Sequence, residues 1–202
     1  MTGTPATAAP KLKTRPVTPD TWPDFDALFT ARGGPSYCWC MAWRASQKDP
    51  KAATKSGRKA LMKQRVKDGV PVGLLGYLGD EPVAWCSIAP FDTFRGLRKV
   101  GDGEATDRLW SITCFFVRRD LRGQGLTHQL LAAAVKLARQ HKAKLVEGYG
   151  VSPTSPSYRH MGFVPMFKAA GFEDVAREGT RRHVMQRPVR QRKTSAKPGP
   201  GG

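Results

Sequence analysis

The sequence predicts an α/β fold: a mixed, mostly antiparallel central sheet flanked by helices, with one parallel βαβ unit inside it. Three observations predict it. Residues 108–149 read in succession as strand, glycine-punctuated loop, long amphipathic helix and strand, and strands joined by a helical crossover lie parallel. Residues 70–89 and 172–187 each read as β-runs separated by a turn, which makes antiparallel hairpins. The chain has 202 residues and is 40% hydrophobic, enough to bury a substantial core in one domain.

The elements follow in order. Residues 1–10 are rich in Thr, Ala and Pro and are expected to be disordered; the domain is assigned to 11–188. Residues 12–17 alternate as a first strand. Thr21 then serves as a helix N-cap, and Trp22, Phe25, Leu28 and Phe29 recur at helical spacing until Gly33-Gly34-Pro35 ends the helix. Residues 37–44 are dense in aromatic and sulfur side chains, and read either as a hydrophobic plug or as the wall of a substrate pocket. Asp49-Pro50 opens a helix that is expected to run unbroken to about Asp68 and stop at Gly69. Its lysines and arginines make either a solvated face or a polyanion-facing one.

The first hairpin pairs 70–78 with 83–89 across Gly79-Asp80-Glu81-Pro82, and 91–103 is loop. Residues 108–117 are apolar enough to be buried on both faces of the sheet. Helix 125–141 carries Leu126, Leu130, Ala133, Ala134 and Leu137 on one face, and 144–149 is the next strand. A short helix is expected at 162–170, interrupted early by Pro165. The second hairpin pairs 172–177 with 182–187, and 189–202 reads as a basic disordered tail.

Thirty-four Lys and Arg against 16 Asp and Glu give a formal net charge of +18. That balance attracts polyanions, so nucleic acid enters as a candidate partner. No run is long and apolar enough to span a membrane, and the N-terminus lacks the apolar stretch of a signal peptide. A cytoplasmic protein without a membrane partner is expected. Cys38, Cys40, Cys86 and Cys114 are too sparse for a disulfide scaffold, and Cys38-Trp39-Cys40 has no second pair at zinc spacing, so no metal site is expected.

Gly123 and Gly125 sit between arginines and a helix start. Such a loop leaves backbone N–H groups uncovered, and the helix N-terminus adds partial positive charge, so the pair makes an anion site suited to a pyrophosphate. The loop lacks the Lys and Ser/Thr of a Walker A loop. It also fails the dinucleotide-binding G-x-G-x-x-G pattern, because His128 stands where the third glycine belongs.

Val117 followed by Arg122-Gly123-Gln124-Gly125-Leu126-Thr127 resembles motif A of the GNAT superfamily of N-acyltransferases, [Q/R]-x-x-G-x-[G/A] after a central strand. Arg122 and Gly125 match; Thr127 departs but is small. Residues 166–172, ending in Gly171-Phe172, resemble the family's last short helix, and the order of elements agrees over nearly all of 12–188. The resemblance implies acetyl-CoA as co-substrate. Its pyrophosphate would lie on Gly123, Gln124, Gly125, Leu126 and Thr127, with Arg122 and His128 adding charge. Its pantetheine would pair with the backbone of Phe115 and Val117, and a backbone N–H near Phe116 would stabilise the oxyanion.

The resemblance further implies acetylation of a primary amine by direct attack in a ternary complex, with a small molecule as the first acceptor class. Acetylation of a macromolecule, or a non-catalytic nucleic-acid-binding or CoA-sensing scaffold, stays open, as does a homodimer. Many family members place a tyrosine as general acid in the last helix, where this chain has Phe167. Tyr149, Tyr158, Cys114 or water would substitute. Glu147 is the first expected base and Asp107 the second.

Overall fold

A computed structural model describes residues 10–46, 48–97 and 108–189. The segments 1–9 and 190–202, with Arg98, Lys99 and Asp107, lie outside the described residues.

The fold is a single seven-stranded sheet with helices on both faces, in the order β1-β2-β3-β4-β5-β7-β6. The strands are β1 (Lys13–Pro16), β2 (Leu74–Leu78), β3 (Glu81–Pro90), β4 (Leu109–Val117), β5 (Leu145–Gly150), β6 (Glu173–Glu178) and β7 (Arg182–Pro188). Among the described strands only β4 and β5 pair in parallel; every other strand neighbour is antiparallel. The helices are α1 (Trp22–Thr30), α2 (Pro50–Ala53), α3 (Lys55–Lys67), α4 (Leu126–Gln140) and α5 (Val164–Ala169). This is the mixed sheet with one βαβ unit that the sequence predicts.

The sheet separates two cores. On one face Leu126, Leu130, Leu131, Ala134 and Leu137 of α4 and Met166 and Phe167 of α5 pack on Cys86, Ile88, Ile112, Phe115 and Val146. On the other, Trp22, Phe25 and Phe29 of α1 and Met62 and Val66 of α3 pack on Trp39, Leu75, Tyr77 and Trp85. These are the apolar stripes at helical spacing, each covering a sheet face by burial of aliphatic and aromatic area.

Three boundaries differ from expectation. The helix expected from 50 to 68 breaks at Thr54, which is extended (φ −108°, ψ 155°) and whose side chain caps α3 by accepting from the Gly57 N–H. Gly57 makes the break possible: a Cβ there would lie 2.0 Å from the Lys51 carbonyl oxygen. Strand β2 starts at Leu74 rather than 70, because Gly73 sits at φ +146° with the Cys86 carbonyl 2.2 Å from where a Cβ would be. Helix α5 starts at Val164, with Pro165 in its first turn, since Gly162 at φ +97° precedes it. After β7, Val189 is buried and donates its N–H to the Lys144 carbonyl.

Candidate active site

The site is built around a one-residue irregularity in β4. Ser87 pairs with Cys114 and Ile88 with Ile112, so Thr113 is an extra residue, a β-bulge. A bulge bends its strand and disrupts the local ladder. Pairing with β5 runs from Leu109↔Leu145 to Ile112↔Gly148 and ends there, at the bulge. Beyond it β4 stays bound to β3 alone while β5 follows β7, and the two parallel strands diverge.

The groups facing that divergence follow from ladder parity. The Arg118 N–H donates to the Val83 carbonyl at 2.9 Å, making 83 and 118 a hydrogen-bonded pair. Such pairs alternate in an antiparallel ladder, and the register runs unbroken from Ala84↔Val117 to Ser87↔Cys114. The backbone groups of Cys114 and Phe116 are therefore committed to β3, and those of Phe115 and Val117 point toward the opening. The Val117 carbonyl accepts from Arg122 Nε at 3.0 Å, on the side away from β3. The expectation of a free donor at Phe116 is corrected: its N–H serves the sheet, and the N–H that faces the opening is that of Phe115.

The glycine loop closes the wide end of the opening. Gly123 (φ +78°) and Gly125 (φ +75°) both adopt the left-handed region, with nothing within 4 Å of where a Cβ would stand. Gly125 is the N-cap of α4 and, having no side chain, caps nothing. Among the described residues, the N–H groups of Gly123, Gln124, Gly125, Leu126 and Thr127 donate to no protein acceptor. Uncovered amides at the start of a long helix form an anion cradle. Arg122 and His128 flank it. The residues present therefore fit a pyrophosphate beside an extended amide chain.

On β5, Glu147 is fully buried and lies inside the paired stretch, opposite Ser111. The Tyr149 hydroxyl donates to Glu147 Oε1, and Gln186 Nε2 donates to Oε2 at 2.7 Å. Burial lifts the Glu147 carboxyl above the usual carboxylate range despite these hydrogen bonds, and burial together with the Glu147 charge raises the Tyr149 phenol. Tyr149 stands one residue past the last β4–β5 pair, at the root of the opening. Phe167 is fully buried against β5, where Gly148 and Gly150 leave room for its ring; a Cβ at Gly148 would lie 2.4 Å from it. It offers no proton.

The raised carboxyl predicts a pH dependence. Folded Glu147 holds its proton more tightly than the unfolded chain does. Its contribution to stability is fully present below the ordinary carboxylate pKa and is lost as pH rises through the raised folded value. Glu147→Gln is expected to flatten that decline, read by urea unfolding at about pH 4 and about pH 7.5. An unchanged difference between the two would show that the charge is fully compensated in the folded state.

Residues 37–44 fill part of the aromatic core and also border a cavity. Trp39, Cys40, Met41 and Arg44 are buried, and Trp39 packs with Phe29 at a ring separation of 5.3 Å. Tyr37, Cys38 and Ala42, with the buried Met41 behind them, line a cavity of about 450 Å³ bordered by Ala53 of α2 and Arg58 of α3. Arg44 is a buried cation that the sequence did not single out. Its Nη1 donates to Ser87 Oγ (2.8 Å) and the Cys40 carbonyl (3.1 Å), its Nη2 to the Val72 carbonyl (2.8 Å), and Ser87 Oγ pairs with Thr113 Oγ1 at 2.9 Å. Burial lowers its pKa to about 10, so it stays charged at neutral pH. Hydrogen bonding to Cys40 raises the Cys38 thiol, hydrogen bonding to Cys114 raises the Cys40 thiol, and burial raises Cys86. These sulfurs are held as thiols and are poor nucleophiles.

The remaining candidates are dispersed. Cys114 directs its Sγ to the Phe115 carbonyl at 3.7 Å. Tyr158 lies under the Arg182 guanidinium, 5.0 Å from its ring centre. His183 has its Nδ1 2.6 Å from Asp174 Oδ2. Thr113 and Arg44 carried no motif. The one signal available was a lone arginine closing an aromatic run.

No group of His, Cys, Asp and Glu suited to a metal is present among the described residues, and none of their helices is long and apolar enough to cross a membrane. Residues 39–163, more than half the chain, match the model of the "Acetyltransferase (GNAT) family". No curated relative matches the sequence. Among solved structures, an acetyltransferase from Thermus thermophilus is similar at 20% identity and TM-score 0.53, over 91% of this chain and 100% of that one. The yncA protein of Salmonella typhimurium, solved with its cofactor acetyl-CoA, is similar at 14% identity and TM-score 0.53, over 95% and 99%. A ribosomal-protein-alanine N-acetyltransferase from Brucella melitensis is similar at 19% identity and TM-score 0.50, over 88% and 100%. At these identities the likeness is one of fold.

Proposed function

The chain belongs to the GNAT family of acetyltransferases, and from that premise we propose that it transfers an acetyl group from acetyl-CoA to a primary amine by direct attack in a ternary complex. The observation that carries this reading is the run of unpaired N–H groups from Gly123 to Thr127 beside a strand edge opened by the Thr113 bulge.

The thiol ester supplies the acyl group; the chain positions it and manages charge and protons. The loop amides and the α4 N-terminus hold the pyrophosphate, helped by Arg122 and His128. The Val117 backbone pairs with the pantetheine. The Phe115 N–H, in place of Phe116, meets the thioester oxygen as charge develops on it. Holding both reactants in one cleft removes much of the entropic barrier. Protonated, hydrogen-bonded thiols at Cys38 and Cys40 support direct attack over an acyl-cysteine. Glu147 and Tyr149 are both fully buried, so a water carries the amine's proton to the Tyr149 hydroxyl, which passes its own proton to the Glu147 carboxylate to which it donates. A CoA thiolate has a pKa near that of any free thiol and leaves without a strong acid, in keeping with Phe167.

Thiol release from acetyl-CoA with a panel of primary amines tests the reading. Saturable, amine-dependent release is expected. Acetyl-CoA binding without release to any amine would overturn it in favour of a non-catalytic scaffold. One observation favours a macromolecular acceptor as the second reading: Lys51, Lys55 and Lys67 on α2 and α3 have no carboxylate partner among the described residues, whereas Lys59 pairs with Asp26 at 2.6 Å. An RNA affinity that falls steeply with salt and depends on those lysines would support it.

A further inference from the structure

The cavity between residues 37–46 and the α2–α3 junction has a composition that narrows the acceptor. It measures about 450 Å³, within the range of small-molecule sites, and its walls are the side chains of Cys38, Met41, Ala42, Ala45, Ala52 and Ala53, with Tyr37 at the mouth. No carboxylate lines it, so a second ammonium on an acceptor would find no counter-charge there. The charge the wall does carry is Arg58. Its Nε donates to the Tyr37 carbonyl at 2.8 Å and its Nη1 to the Ala52 carbonyl at 2.6 Å. The guanidinium thus bridges the two walls, and among the described residues no carboxylate pairs with it. Of the five N–H donors of an arginine, those bonds leave others free. A guanidinium already fixed by carbonyls loses little entropy on meeting an anion.

The local sequence builds this arrangement. Thr54 breaks the helix and Gly57 lets α2 fold back onto α3, which brings the Ala52 carbonyl over Arg58. The cavity also lies next to the point of transfer. Cys38, in its wall, accepts the Cys40 N–H on its Sγ at 3.4 Å, and both Cys38 and Cys114, the neighbour of Phe115 on β4, pack against the same buried core.

We propose that the acceptor is an amine with an apolar body and a carboxylate or similar anion, seated in this cavity with the anion on Arg58 and the amine toward Phe115. This rests on the acetyl-transfer reading above and narrows it to an anionic, apolar class such as a hydrophobic amino acid.

The test compares leucine, leucinamide and isopentylamine as acceptors in the thiol-release assay, with the diamine cadaverine as a fourth. Leucine is expected to exceed its amide and the decarboxylated amine by about tenfold or more in kcat/KM, the scale of one charge-assisted hydrogen bond. Ala53→Asp places an anion in the cavity without removing any of the Arg58 hydrogen bonds. It is expected to lower kcat/KM for leucine by about tenfold or more, to spare leucinamide, and to leave acetyl-CoA affinity unchanged; Ala53→Asn controls for bulk. Equal use of acid and amide, preference for the diamine, or an Ala53→Asp effect shared by all acceptors would overturn the proposal while leaving acetyl transfer intact. If no amine releases thiol, titration calorimetry of leucine against leucinamide on the CoA-saturated protein still decides it: tighter binding of leucine supports the anion subsite, and equal or absent binding removes it.

Discussion

Gly125→Glu is expected to abolish acetyl-CoA binding in a chain that remains folded. Gly125 sits at φ +75° as the N-cap of α4, with open space where a side chain would project. A non-glycine residue there costs about 1 kcal/mol of left-handed strain, which a domain of this size tolerates. The carboxylate, however, stands in the cradle formed by the N–H groups of Gly123 to Thr127. It occupies the anion position, satisfies those donors itself, and repels a pyrophosphate. Calorimetry on Gly125→Glu should show no binding where the wild type saturates, while Gly125→Ala, carrying the same strain without the charge, should keep most of its affinity. Unchanged affinity in a folded Gly125→Glu chain would remove the cofactor assignment.

Arg44→Met is expected to cost about 2–4 kcal/mol of stability, because it strands buried acceptors that the guanidinium now satisfies. The Cys40 and Val72 carbonyls and Ser87 Oγ all lose their donor in a place water does not reach. Ser87 Oγ also fixes Thr113 Oγ1, the side chain of the bulge, so the loss propagates to the geometry of β4. Denaturant unfolding should show the drop, and acetyl transfer at saturating substrate should fall by more than the folded fraction accounts for. A loss below about 1 kcal/mol, the scale of a single ordinary hydrogen bond, would show that the acceptors find other partners and that the bulge does not depend on Arg44.

Much of this molecule was legible before its structure. The glycine loop and α4 were readable because their causes are local: glycine conformational freedom and an amphipathic period. The apolar density of 109–117 correctly announced a strand buried on both faces. The helix break at Thr54 was not readable, because it depends on the Lys51 carbonyl packing against a bare Gly57, a contact invisible in propensity. The bulge was hidden for a similar reason. Thr113 is an unremarkable strand residue, and only its mismatch against Ser87 and Ile88 makes it extra. That same residue decides which amides of β4 face the cleft, so the Phe116 N–H, expected near the opening, is instead committed to β3. Arg44 looked like another member of a basic surface in a chain of net charge +18, and composition carries no information on which arginine is buried.

The bulge at Thr113 also makes β4 an unfinished strand. An interior strand normally has both rows of its backbone groups answered by protein. Beyond Ile112 this one has a partner on β3 and none on β5, so the middle of the sheet contains a short edge of the kind that invites another chain to add itself. On the proposed acetyl-transfer reading the invitation would go to a ligand. The amide-bearing arm of the donor would take the place of the missing strand, and the sheet would be complete only while the donor is bound. Each round of product release would then reopen a seam in the protein's own core.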